Sequence, residues 1–216
     1  MATLGEYIGA GAGTTKLLLH LNGSSADSSG NSNSGTDTAI TYSQANGKFG
    51  MGAGFNGSTS KIVIPNTTFN SSSAFSISFW LKHSNNSMSF FKGYWSMLLR
   101  TNITNNRAEI GFSNNGVGIT TAINTPDNSL PVNTFNHITI TSTGSNQIVY
   151  INGVNVGSSA TTISNLSTNI GFGANINGVS EYLNGSIDEV IIESVAWTPQ
   201  QVAKYYSMSK GRWATL

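Results

Sequence analysis

The stretch EYLNGSIDEVIIESVAWTPQQVAKYY, residues 181–206, decides the fold because it joins a turn, a strand and a helix. The pair Asn184-Gly185 predicts a turn, and the β-branched residues that follow predict a strand of a packed sheet. Thr198, followed by proline and with Gln201 three positions later, predicts a helix that begins with a capping box. The stretch therefore predicts a closing strand and one short helix.

Alternation of apolar and polar residues, the pattern of a strand with one buried face, recurs through the rest of the chain. The clearest example is SAFSISFWLK, residues 73–82, in which Phe, Ile, Phe and Leu share one face and Trp80 lies on the other. The other predicted strands are residues 16–21, 107–112, 117–123, 135–141, 147–151 and 169–174, a hairpin within 88–100 broken at Gly93, and a strand pair within 47–65 whose Phe49 and Phe55 belong to the core.

The composition is typical of a turn-rich β protein with one main domain. The 216 residues include 24 glycines but only 9% charged residues, so Asn, Ser and Thr supply much of the polar surface. A net charge of +1 gives no broad field that would attract nucleic acid or an anionic membrane, and we expect neither as a partner. The lack of cysteine excludes disulfides and thiolate sites.

The two ends of the sequence differ from the rest. Residues 1–15 predict a flexible arm without the basic and apolar segments of a secretory signal, which favours a soluble protein kept in the cytosol. Residues 207–216 predict a tail beyond the helix. Tyr7 in the arm and Trp213 in the tail are the predicted contacts for assembly with a partner, and the alternative for the tail is a frayed end.

Three motifs carry a family resemblance: GSIDEV at 185–190 followed by TPQQV and a tyrosine pair, FNGSTSKIVIP at 55–65, and IVYING at 148–153. Together they resemble the laminin-G-like domains of the concanavalin A-like lectin and glucanase superfamily, over about residues 16–206. The resemblance implies an all-β, antiparallel two-sheet jelly-roll sandwich with one short C-terminal helix.

This superfamily contains lectins, glucanases, adhesion modules and virion parts, so the fold leaves the function open. Without an export signal, the preferred interpretation is a non-catalytic module of a phage particle, in the head, tail or fibre, that contacts host glycans through asparagines in loops and aromatic side chains. Its partners would be other virion proteins and further copies of itself, with a trimer suggested by family analogy. The alternatives are a secreted or cell-surface lectin or adhesin, located outside the cell, and a glycan-degrading enzyme.

Two groups of residues are candidates for binding sites. Trp80, Tyr94 and Trp95 are the predicted sugar-binding residues, although Trp80 packed under a neighbouring loop is the favoured alternative. Asp27, Asn31 and Asp188 are the predicted ligands of a calcium ion, the one cofactor considered, and none is required. The favoured alternatives are an Asx turn at Asp27 and, from the resemblance, an Asp188 that ties its strand to a loop.

The carboxylates do not form the pattern of a glycosidase, which needs two of them about 5 Å apart. Asp188 and Glu189 are adjacent on a predicted strand and so are expected to point to opposite faces, whereas Glu189 and Glu193 lie about 13 Å apart along it. The three histidines are far apart in the sequence, with no zinc-binding spacing. The sequence therefore predicts no catalytic residues.

Overall fold

A computed structural model describes residues 11, 13–65, 70–93, 96–164, 169–176 and 180–210 of the chain. These residues form fifteen strands, one turn of 3-10 helix at Gln44–Asn46 and one α-helix. In chain order they are β1 Thr15–Leu19, β2 Thr36–Thr38, β3 Thr41–Ser43, β4 Gly52–Asn56, β5 Lys61–Ile64, β6 Phe75–His83, β7 Ser87–Lys92, β8 Met97–Asn102, β9 Arg107–Phe112, β10 Thr121–Asn124, β11 Asn136–Ser142, β12 Gln147–Ile151, β13 Val154–Ser159, β14 Ile170–Phe172, β15 Asn184–Glu193 and helix α1 Pro199–Ser209.

The strands form two antiparallel sheets packed face to face. The eight-stranded sheet has the order β13-β12-β11-β6-β15-β4-β3, with β1 also paired to β15, and the seven-stranded sheet has the order β10-β9-β8-β7-β14-β5-β2. Neighbours in space are often distant in sequence, as in β6 beside β15 and β14 beside β7. The predicted jelly-roll sandwich with one C-terminal helix is confirmed.

The core lies between the two sheets and follows the predicted alternation. Phe75, Ile77, Phe79 and Leu81 of β6 are all completely buried on its inner face. Phe172 of β14 packs its ring edge-on against Phe79, with the centroids 5.8 Å apart, so the two sheets interlock through aromatic side chains. The hairpin predicted around Gly93 is also present, as β7 paired with β8.

Strand β15 lies in the middle of the eight-stranded sheet and changes partner along one edge. It pairs with β4 over residues 184–187 and with β1 over residues 190–193, while β6 runs along its other edge. At the change of partner the register with β6 shifts, and Glu189 has a φ of 49°. This β-bulge places one extra residue on the outer face.

The bulge overturns the expectation that Asp188 and Glu189 point to opposite faces. Ile187 and Val190 enter the core between the sheets, whereas Asp188 and Glu189 both lie on the outer side near Tyr205 of the helix, where burial raises the pKa of Tyr205 and these carboxylates raise it further. Strict alternation predicts that adjacent side chains point to opposite faces of the sheet. The left-handed backbone at Glu189 breaks this alternation, so its side chain points outward as that of Asp188 does.

Helix α1 begins as the sequence predicts and covers part of the outer face of the eight-stranded sheet. Thr198 Oγ1 accepts from Gln201 N, and Gln201 Oε1 accepts from Thr198 N at 2.7 Å, which completes the capping box. Val202 and Tyr205 pack on Trp197 and Ile191. The helix continues to Ser209, three residues beyond the tyrosine pair, and the tail predicted at 207–216 stays a prediction. No helix within the described ranges is both long and apolar enough to cross a membrane.

Two further expectations are corrected. Phe49 does not enter the core but lies on the outer face, where its ring meets Trp80 edge-on with centroids 5.9 Å apart. The strand predicted at 117–123 begins only at Thr121, because Ser113 Oγ accepts from Gly116 N and holds a wide turn that leaves Val117 81% exposed.

Candidate functional site

A polar groove of about 350 Å³ crosses the outer face of the eight-stranded sheet where β6 ends and β15 begins. We call it the asparagine groove, and its defining residues are Thr41, Asn46, Gly54, Lys82, Asn133 and Asn184. Its volume lies within the roughly 300–1,000 Å³ that is usual for small-ligand sites. The groove is therefore large enough for a small ligand or one or two units of a polymer.

Four paired strands build the floor of the groove. Thr41 of β3 is opposite Gly54 of β4, Gly54 is opposite Ser186 of β15, and Ser186 is opposite Lys82 of β6. A Cβ atom at Gly54 would overlap the amide of Asn46, so the floor stays low only because this residue is glycine. Small residues in register thus leave a depression between taller side chains.

Two asparagines offer unused amide groups to the groove. Asn133 and Asn184 are both exposed, and neither side chain makes a hydrogen bond to any residue that the structure describes. Their backbones are fixed, since Asn133 N donates to His83 O at 2.8 Å and Ser84 N donates to Asn184 O at 3.0 Å. The backbone of each asparagine is therefore held in position, while its side-chain amide keeps a donor and an acceptor available for a ligand.

Asn46 differs from these two because its side chain is already engaged. Its Nδ2 donates to Thr41 O at 3.1 Å, and its Oδ1 accepts from Ser186 Oγ at 3.2 Å. These bonds fix the 3-10 turn at Gln44–Asn46 against the groove floor. Asn46 therefore shapes one wall of the groove rather than supplying a free amide.

Lys82 brings a positive charge to the groove. Its Nζ donates to Ala45 O at 3.1 Å and lies 4.9 Å from the centre of the Phe135 ring. His83, the next residue, is completely buried, and burial lowers its pKa, so it is neutral at physiological pH. Among the described residues no carboxylate lines the groove, which therefore lacks the acid and nucleophile pair of a glycosidase.

Trp80 is two residues from Lys82 on the same face of β6, but it is 2% exposed. Its ring is covered by the rings of His137 and Tyr206, at centroid distances of 5.0 and 6.0 Å, and by Lys48 Nζ at 4.6 Å. A sugar has no free ring face on which to stack. Trp80 is therefore packed under neighbouring segments, as the favoured alternative expected, and its role as a sugar platform stays a prediction.

Asp188 ties β15 to the loop between the 3-10 turn and β4. Its Oδ2 accepts from Lys48 N at 2.8 Å and from Phe49 N at 2.9 Å, and its Oδ1 accepts from Glu189 N. Burial raises the pKa of Asp188 to about 7, an effect that these backbone donors oppose and the nearby Glu189 increases. The structural role expected from the family resemblance is confirmed.

The bulge also pairs Glu189 with His20. The Nδ1 atom of His20 lies 3.0 Å from Glu189 Oε2, and this bond raises the pKa of His20 against the opposing effect of burial. Asp188 is completely buried and Glu189 is 9% exposed. These carboxylates stabilise the bulge and lie outside the groove, so they offer no catalytic pair to a ligand bound there.

Asp27 forms the Asx turn that was the alternative to a calcium site. Its carboxylate accepts from the N–H groups of Leu18, Ser29 and Asn33, at 2.9–3.1 Å. Burial alone would raise the pKa of Asp27, but these donors outweigh it and hold the pKa below its usual value. Asn31 Nδ2 donates to Thr15 O.

Calcium binding at Asp27, Asn31 and Asp188 stays a prediction. Within the described part of the chain, no three residues of the His, Cys, Asp and Glu types come together as they would around a metal ion. The other predicted residues lie outside the described ranges: Tyr94 and Trp95 for sugar binding, and Tyr7 and Trp213 for assembly.

The residues of the asparagine groove were not singled out from the sequence, although asparagines in loops were expected to contact glycans. Asn184 precedes a glycine and was attributed to a turn, whereas Asn46 and Asn133 each lie at the end of a loop region. The missing information is spatial, because the groove combines five separate segments of the chain. Asn46, Asn56 and Asn184 of the groove lining each precede a glycine, but the same pair also occurs outside the groove, as at Asn22 and Asn152.

Comparison with known proteins agrees with this architecture. A family model described as the concanavalin A-like lectin/glucanases superfamily matches residues 55–203, well over half of the chain. No curated protein matches.

Solved structures with the same fold include binding domains. The binding domain of Paraclostridial Mosquitocidal Protein 1 superposes with a TM-score of 0.73 and 19% identity over 89% of this chain and 52% of that one. Domain 4 of AbnA, a GH43 extracellular arabinanase from Geobacillus stearothermophilus, was solved in complex with arabinotriose. It superposes with a TM-score of 0.69 and 23% identity over 88% of this chain and 97% of that one. The botulinum neurotoxin serotype D binding domain superposes with a TM-score of 0.70 and 16% identity over 90% of this chain and 51% of that one. The chain spans about half the length of the two toxin domains.

Proposed function

Because this chain belongs to the concanavalin A-like lectin/glucanases superfamily, we propose that it is a non-catalytic module that binds a carbohydrate in the asparagine groove. The observation that carries the proposal is the pair of unused amides at Asn133 and Asn184, fixed by their backbones at the edge of a groove of about 350 Å³.

Sugar hydroxyl groups both donate and accept hydrogen bonds, and so does an amide side chain. An asparagine can therefore satisfy a donor and an acceptor on neighbouring hydroxyls at once. The groove adds the hydroxyl of Thr41 and the floor glycine Gly54, which lets a ligand approach the sheet closely. The lack of a carboxylate among the described lining residues favours binding over hydrolysis.

The structural neighbours support the same class of ligand. Domain 4 of the arabinanase, which this chain covers almost completely, was crystallised in complex with arabinotriose, and the toxin neighbours are binding domains. A short oligosaccharide is therefore the first ligand to test.

A role in a phage particle stays a prediction. It depends on the arm at 1–15 and on Trp213, most of which lies outside the described residues. A carbohydrate-binding module would suit a particle that attaches to host glycans as well as a secreted lectin, so the groove does not favour one over the other.

The proposal is tested by screening the chain on an array of oligosaccharides and measuring the best ligand by titration calorimetry. Asn184→Ala and Asn133→Ala should each weaken binding about threefold to tenfold, since each removes hydrogen bonds worth about 0.5–1.5 kcal/mol. The matched control is Asn124→Ala, an exposed asparagine on β10 of the other sheet.

Unchanged affinity of the Asn133→Ala, Asn184→Ala double variant would place the site elsewhere on the molecule. A chain that folds normally and binds no saccharide on the array would refute the proposed function.

A further inference from the structure

We propose that the asparagine groove selects a sugar residue that carries a negative charge, a carboxylate or a sulfate, and that Lys82 is the residue that determines this specificity. The inference rests on the proposed function and names the class of ligand for the same site.

The described lining of the groove carries positive charge and no negative charge. Lys82 is the one charged side chain among its described lining residues at neutral pH, because His83 is neutral and the remaining lining side chains are amides, hydroxyls, Phe55 and glycines. The net charge of the whole chain is only +1, so this preference is local to the groove rather than a property of the overall field.

The ammonium group of Lys82 is fixed in place. Ala45 O accepts one of its N–H groups at 3.1 Å, and the Phe135 ring lies beneath it at 4.9 Å. An ammonium group has three N–H donors, and within the described ranges Ala45 O is the one acceptor that Lys82 contacts. Two donors therefore stay available to a ligand.

Lys82 also differs from the two arginines that the structure describes, Arg100 and Arg107, which are matched with carboxylates. Arg100 Nε lies 2.8 Å from Glu181 Oε1, and Arg107 NH1 lies 3.4 Å from Asp127 Oδ1. No carboxylate in the described structure forms an ion pair with Lys82. An acidic group on a ligand would supply the counter-charge that the protein does not.

Hydrogen bonds to ionised groups are roughly twice as strong as those between neutral groups, so an acidic sugar gains more from Lys82 than a neutral one. Asn133 and Asn184 donate from the same groove and can bind the ring hydroxyls beside the acidic group. Because Lys82 is only partly buried, solvent screening limits the expected preference to about tenfold.

The test compares sugars that differ only in charge. Trigalacturonate is measured against its methyl ester, and a sulfated galactan oligomer against the same oligomer without sulfate, by titration calorimetry at 50 and 300 mM salt. We expect about tenfold tighter binding of at least one acidic member, reduced at high salt. The two pairs distinguish a carboxylate from a sulfate as the preferred group.

Lys82→Gln should weaken binding of the acidic member about tenfold and that of the neutral member much less, so that the preference is lost, whereas Lys82→Arg should keep most of the preference. Lys61→Gln on β5 of the other sheet is the matched control and should change nothing. If Lys82 only supports the turn through Ala45, Lys82→Gln would weaken neutral and acidic sugars equally, which would overturn the inference. Equal binding of neutral and acidic sugars by the wild type would overturn it as well, with the proposed function left standing, whereas no binding of any sugar would refute both.

Discussion

The outer face of the eight-stranded sheet has two halves that are built on the same strands and differ in what covers them. Trp80 and Lys82 are two residues apart on β6, and Asp188 and Ser186 are two residues apart on β15, so each strand contributes to both halves. Trp80 and Asp188 lie under helix α1 and the loop before β4, with exposed fractions of 2% and 0%. Lys82 lies in the asparagine groove, open to solvent.

The difference indicates how a sandwich can separate the residues that stabilise it from those proposed here to bind a ligand. In the covered half the polar group of Asp188 is satisfied by three backbone N–H groups, and aromatic rings fill the space around it. In the open half the amides of Asn133 and Asn184 have no partner in the described structure. Mutations in the first half should change folding, and mutations in the second should change affinity.

The largest expected effect is that of Trp80→Ala. Removing this buried ring leaves a cavity beneath Tyr206 and His137, and should lower the free energy of unfolding by about 3–5 kcal/mol. Lys82→Gln, two residues along the same strand, should change it by no more than about 0.5 kcal/mol. Urea denaturation of both variants measures this contrast, and equal losses would show that the two halves are not distinct.

Asp188→Ala should have an intermediate effect. It leaves the N–H groups of Lys48, Phe49 and Glu189 without their acceptor, at a cost of about 1–3 kcal/mol in unfolding free energy. Because Lys48 follows Asn46 in the same loop, the variant should also weaken ligand binding. Asp188→Asn keeps one oxygen, so its free energy of unfolding in urea and its ligand affinity by calorimetry should lie between those of wild type and Asp188→Ala. Losses in Asp188→Asn as large as those in Asp188→Ala would show that the remaining oxygen does not hold the loop.

A third expected effect, which develops gradually with pH, originates in the covered half. His137 is completely buried, and burial lowers its pKa to about 3, from 6.5 in an unfolded chain. Between these values the unfolded state binds the additional proton, so the free energy of unfolding falls as the pH falls, by up to about 1.4 kcal/mol per pH unit.

Urea denaturation of wild type and His137→Gln from pH 7.5 to pH 5 isolates this effect. The raised pKa of Asp188, about 7, has the opposite sign, because there the folded state binds the additional proton and stability falls as the pH rises above 3.8. Asp188 is present in both proteins and cancels in the difference. Parallel pH profiles would show that His137 does not titrate in this way.

Local patterns were predictable because they depend on neighbouring residues in the sequence. The capping box of Thr198 and Gln201 and the Asx turn of Asp27 each close within a few residues. The alternation in β6 was equally clear, since a strand with one face in a core must repeat every two residues.

The features that escaped prediction depend on distant segments. The bulge at Glu189 arises where β15 exchanges β4 for β1, and no local pattern marks that point. The packing of Trp80 was expected, but its cover could not be named, because Tyr206 is distant from it in the sequence. The asparagine groove likewise needs the register of four strands, so its residues could be recognised as turn formers but not as a site.

The position of β15 has a consequence for the order of events during synthesis. Strands β1, β4 and β6 all pair with it, and Thr15 Oγ1 donates to Glu193 Oε1 across 178 residues of sequence. A nascent chain lacking residues 184–193 exposes three unpaired strand edges, the kind of surface on which aggregation begins. Sheet closure must therefore wait until β15 has left the ribosome, and folding dominated by such long-range pairs is expected to be slow.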